Sequence, residues 1–121
     1  MAETAFDDQK FQQEFEQVQA AAVQANLTEP RAIAAYYDVE AELIVVKLRS
    51  GASFSFSPEI AQGLKGARAE DLARVEVTPM GDGLHWEALD TDFSVAGLLS
   101  GIFGTKRWMA TLQHQWSQQA A

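Results

Sequence analysis

Two histidines, a run of acids and three tryptophans are the residues of this chain whose types and spacing invite a chemical reading. His85-Trp86-Glu87 has the H-x-E form of one half of a zinc deaminase site. That site also needs P-C-x-x-C, and the chain contains no cysteine. The second histidine, His114, lies far along the chain, so no metal site is expected. Asp90-Thr91-Asp92-Phe93-Ser94 opens like a calcium loop, but the sixth position, a glycine in such loops, is Val95. The twelfth, where a bidentate acid is required, is Gly101. Asp90 and Asp92 are expected instead to shape a turn and cap the helix that follows. Gly97-Leu98-Leu99-Ser100-Gly101 has G-x-x-x-G spacing, extended by Gly104. Each glycine inside a helix costs about 1 kcal/mol relative to alanine, so close packing of that helix on a sheet is expected to offset it. Exposed tryptophan is a frequent anchor of interfaces. Trp86, Trp108 and Trp116 therefore join Asp90 and Asp92 as the candidate partner-binding residues. There is no Ser-His-Asp order with an elbow, no phosphate-cradling glycine loop and no basic aromatic strip. Neither an enzyme nor a cofactor is expected.

Around these residues the pattern predicts an α+β fold. Phe11, Phe15, Val18 and Ala22 recur at helical spacing and predict an amphipathic helix over 1–28, stopped by Asn26 and Pro30. Arg31 to Tyr37 and Glu42 to Leu48 read as strands joined at Asp38-Val39-Glu40. Arg49-Ser50-Gly51 turns the chain into Ser53-Phe54-Ser55-Phe56, whose alternation places both rings on one face. Ser57-Pro58-Glu59 is a helix start, with Ser57 as cap and Pro58 at the first helical position. A further helical turn near Ala69 to Ala73 precedes the strand Val75-Glu76-Val77. Gly81-Asp82-Gly83 gives a hairpin into Leu84-His85-Trp86. Asp92 or Ser94 caps a short helix containing Val95, Leu98 and Leu99, and Thr105 caps a last helix to about Trp116, with Trp108, Met109 and Leu112 on its apolar side. The expected whole is a small antiparallel sheet of about five strands packed with helices, between N- and C-terminal helices.

Charge divides the 121 residues the same way. Residues 1–28 hold five acids and one base, residues 29–104 twelve acids and six bases, and residues 105–121 only Lys106 and Arg107. Of the eleven glutamines, Gln62 alone falls in the middle part. The net charge of −8 argues against nucleic acid or an anionic membrane surface as partner and fits a basic protein. Self-association into a homodimer through the terminal helices is a further option. The longest apolar stretch, Phe93 to Phe103, is about half the ~20 residues of a membrane span, and the first residues carry no signal-peptide pattern. Cytoplasmic residence is expected.

From about Arg31 to Gly104 the chain resembles the bacterial family called domain of unknown function 2442. The order of features carries the resemblance: Leu43-Ile44-Val45-Val46-Lys47-Leu48, a Ser-Gly turn, Phe54-Ser55-Phe56, the Pro58 to Leu64 segment, and Leu72-Ala73-Arg74-Val75-Glu76-Val77. The most specific run is Gly83-Leu84-His85-Trp86-Glu87-Ala88-Leu89-Asp90-Thr91-Asp92-Phe93-Ser94-Val95. The resemblance implies a small α+β domain without an agreed activity, for which an antitoxin role has been suggested. On this basis the expected function is a non-enzymatic interaction module, antitoxin-like or an inhibitor of a basic partner. The alternative is a small-ligand-binding or regulatory domain.

Overall fold

The computed structural model describes residues 12–14 and 29–120. Gln12, Gln13 and Glu14 are helical and exposed. The rest of the helix expected over 1–28, with its Phe11, Phe15, Val18 and Ala22 face, lies outside the described residues.

Two three-stranded antiparallel meanders form the body, rather than one sheet of about five strands. The first runs β1 (Ala32–Asp38), β2 (Leu43–Leu48), β3 (Ser53–Phe56), in that spatial order. Alternation decides its faces: Ile44, Val46, Leu48 and Phe56 are buried, while Lys47, Ser53 and Ser55 are exposed. The rings of Phe54 and Phe56 stack with centroids 6.4 Å apart. A bulge between Ala32 and Ala34 sets Ile33 out of register, and its side chain faces solvent. The Asp38 carboxylate accepts from the Ala41 N–H at 3.1 Å in the first turn. Gly51, at φ +98°, closes the second.

Ser57 caps a single 3-10 turn, Pro58–Ile60, by accepting from the Glu59 N–H at 3.2 Å. A one-turn helix, Ala69–Leu72, follows. The second meander is β4 (Glu76–Val77), β5 (Gly83–Trp86), β6 (Thr91–Ser94). Its first turn is tied by Thr78, whose Oγ1 accepts from the Gly83 N–H at 2.9 Å. The strand β6 occupies residues expected to be a turn and a cap. Pairing with β5 decides the matter: Thr91 and Phe93 face inward opposite Trp86 and Leu84, and Asp92 and Ser94 face outward. Ser94 then caps the five-residue helix Val95–Leu99 through the Gly97 N–H at 2.8 Å.

One core joins the meanders. Trp86, Ile44, Leu64, Leu84, Val46 and Val95 are its largest fully buried side chains. Between the sheets, the Ala32 N–H donates to the Gly81 carbonyl at 2.7 Å. Nearby the buried Arg31 guanidinium meets Glu29 at 3.3 Å and Asp82 at 3.8 Å. The last helix, Lys106–Ala120, runs past the expected end at Trp116. Its start is fixed by Thr105, whose hydroxyl accepts from the Trp108 N–H at 3.2 Å.

The G-x-x-x-G reading needs correction. A Cβ on Gly97 would lie 2.5 Å from the Ser94 hydroxyl, so this glycine makes room for its own helix cap. Gly101 has open space around it and is needed for its φ of +82°, past the helix end. Neither glycine serves close packing on a sheet.

Candidate functional site

The short turn before β6 places the first acid. Glu87–Leu89 forms a 3-10 turn, and the Asp90 N–H closes it on the Glu87 carbonyl at 3.1 Å. Asp90 sits in the left-handed region, φ +48°, which aspartate tolerates better than most residues. The buried Thr91 hydroxyl donates back to the Leu89 carbonyl at 2.9 Å and fixes the entry to β6. Both acids are exposed, two residues apart along the strand entry.

Across from them lies a wall drawn from two distant segments. The Gln62 N–H donates to the Phe103 carbonyl at 2.8 Å, and the Gln62 side-chain carbonyl accepts from the Thr105 N–H, also at 2.8 Å. Gly63 presses on the Thr91 side chain so closely that a Cβ there would overlap the threonine hydroxyl. Between β6 and this wall opens a cleft of about 610 Å³, lined by Asp90, Thr91, Asp92, Ser94, Gln62 and Thr105 among others, with the exposed Ile102 also lining it. None of the described residues that line it is basic.

Asp92 is also engaged from its own sheet. It pairs directly across from His85, and its Oδ1 lies 2.5 Å from His85 Nδ1. That hydrogen bond raises the His85 pKa above the ordinary 6.5. Partial desolvation opposes the shift, and the charges of Asp92, Glu76 and Glu87 add to it. The outer face of the second meander is thus a histidine set among carboxylates. Among the described residues, no group of three His, Asp or Glu side chains is placed to hold a metal ion.

Of the five residues singled out by sequence, the structure brings Asp90 and Asp92 into one cleft. Trp86 is elsewhere: its side chain is 0% exposed, with the indole N–H donating to the Leu72 carbonyl at 3.1 Å and the ring edge-on to Phe93. This corrects its expected role as an exposed anchor. On β5 it alternates with His85, and the core claims its face. Trp108 is half-buried, and its indole N–H donates to the Ile60 carbonyl at 2.8 Å, so it holds the last helix to the body beside Gly104. Trp116 is 43% exposed, two turns further along that helix. Sequence reasoning missed Gln62, Thr91 and Ile102. Thr91 was read as part of a turn, and only its pairing opposite Trp86 turns it inward. Gln62 had no local signal, because its partner Thr105 is 43 residues away.

An α+β body of two antiparallel meanders with an acidic cleft beside the last strand is the class that fold and site define. The chain belongs to the family described as protein of unknown function DUF2442, whose profile matches residues 32–104. A protein of unknown function from Rhodospirillum rubrum, known from a crystal structure, is 51% identical to it. That similarity covers 68% of this chain and 99% of that one, with a TM-score of 0.66. An uncharacterized protein from Chromobacterium violaceum, solved by NMR in solution, is 31% identical over 81% of this chain and 90% of its own, also at a TM-score of 0.66. No curated protein matches the chain. Among the described residues no helix is long and apolar enough to cross a membrane.

Proposed function

We propose that the chain is a non-enzymatic protein-interaction module of the cytoplasm that receives a basic partner protein at the Asp90 and Asp92 cleft. The observation that carries this reading is the convergence of both acids in one concave site whose described lining residues include no base. The net charge of −8 supports it, since a field of that sign speeds encounter with a basic surface. An antitoxin-like protein, or another inhibitor that covers a basic functional surface, is the form of partner binding this site suits. Trp116, exposed on the last helix, is a second contact point.

The test is affinity capture with the full chain and with the D90N/D92N variant. A stoichiometric basic protein held by the native chain, and released by the variant or by salt, is the expected result. Equal retention by both chains would remove the cleft from the interface. A second reading rests on the cleft's size, which falls within the ~300–1,000 Å³ of small-molecule sites. A reproducible thermal shift with a metabolite, without any protein partner, would favour that reading.

A further inference from the structure

The register of the second meander decides where the backbone of β6 points. Thr78 donates its N–H to the Gly83 carbonyl at 3.0 Å, and Val95 donates to the Asp82 carbonyl at 2.9 Å. In an antiparallel ladder such bonded pairs alternate with unbonded ones. Leu84 with Phe93 and Trp86 with Thr91 therefore exchange the β5–β6 hydrogen bonds, whereas His85 with Asp92 and Gly83 with Ser94 do not. The N–H and C=O of Asp92 and the N–H of Ser94 consequently face away from β5, toward the edge on which the cleft opens. Among the described residues, no backbone hydrogen bond outside the β5–β6 ladder engages the main chain of Asp92 or the Ser94 N–H. The edge of β1 is different: it is broken by the bulge at Ala32–Ala34, and Ala32 is tied to Gly81.

We propose that β6 accepts an extended basic segment as a fourth, antiparallel strand of the second meander, seated in the cleft. This deepens the reading of a basic partner at Asp90 and Asp92 and rests on it. The N–H and C=O of Asp92, unengaged by the described residues, are spaced to exchange two hydrogen bonds with one residue of the incoming strand. The side chain of that residue lies on the same face as Asp92, within reach of its carboxylate, and is a Lys or Arg. Its neighbours along the segment point to the opposite face, toward Phe93 and Ile102, and are apolar. Charge complementarity identifies the occupant: the acids lie at the strand entry and on the strand itself, and none of the described residues lining the cleft is basic. The recognised pattern is therefore an alternation of basic and apolar residues in a segment without proline.

The experiment uses the isotopically labelled full chain and three synthetic hexapeptides. One alternates Lys and Val. The second has the same sequence with N-methyl groups on alternate backbone amides, and the third replaces Lys by Glu. Strand addition predicts slowed amide exchange at Asp92 and Ser94 with the first peptide. It also predicts about tenfold weaker binding of the N-methylated peptide, which keeps the charge and loses the ladder, and no binding of the Glu peptide. Equal binding of the two Lys peptides overturns strand addition and leaves the basic-partner reading standing. Absence of binding by either Lys peptide, or equal binding of the Glu peptide, overturns both.

Discussion

On the outward faces of the first meander stand Lys47, Ser53 and Ser55, and on those of the second stand Glu76, His85, Asp92 and Ser94. Their inward faces are alike in kind: Ile44, Val46 and Phe56 in one, Leu84 and Trp86 in the other, packed into a common core. The same topology is thus used twice with different surplus. The first meander spends its alternation on burial and sets one lysine, Lys47, among serines on its outer face. The second carries a titratable outer face and is bordered by a cleft. Conserving the core pattern leaves every second position of a strand available for recognition chemistry.

That comparison breaks if the two meanders are separate folding units. Trp86→Ala is expected to cost about 3–5 kcal/mol and Ile44→Ala about 2–5 kcal/mol. With one core, each variant melts in a single transition in urea, seen alike by fluorescence and circular dichroism. Two separated transitions would show independent meanders. A smaller effect separates the glycines. Gly51 turns in open space, so Gly51→Ala bears only the left-handed backbone penalty, about 1–2 kcal/mol. Gly63→Ala adds a clash with Thr91 and is expected to destabilise more by thermal denaturation. Equal losses would mean that the wall yields freely. Smaller again is Ser94→Ala, which removes a helix cap and is expected to cost about 1 kcal/mol.

The smallest effect is the pH response of the titratable face. His85 has a folded pKa raised above its unfolded value, so its pairing with Asp92 stabilises fully below about pH 6.5. The contribution is lost as pH rises through the folded pKa. An Asp92→Asn chain should show a smaller slope above about pH 6.5, and its His85 resonance should titrate nearer the ordinary range. An unchanged midpoint would assign the shift to Glu76 and Glu87.

Much of the first meander was readable from residue order. The alternation of Leu43 to Leu48 and of Ser53 to Phe56, and the Ser57-Pro58 cap, are local signals, and local geometry satisfies them. The second meander was readable only as far as Trp86. Thr91-Asp92-Phe93-Ser94 has the composition of a turn, and its strand conformation comes from pairing with β5, a tertiary effect that overrides propensity. The division into two sheets was equally hidden, because nothing local records which strands fail to pair. Asp90 and Asp92 were singled out from residue type alone. The opposite wall was not, since Gln62 meets Phe103 and Thr105 only after the core has formed. Trp86 was misassigned by residue type, although its alternation with His85 after Leu84 already pointed inward.

The Gln62 bridge has a consequence in time. The two meanders close through short hairpins, whereas the bridge joins Gln62 to Phe103 and Thr105 across the whole second meander. Contacts of long sequence separation bear a larger loop-closure entropy and form late in folding. The cleft therefore assembles after the hairpins, together with the other long-range ties such as Ala32 to Gly81 and Trp108 to Ile60. A nascent chain would present a nearly finished body with an open site until the Phe103–Thr105 segment has been synthesised and docked.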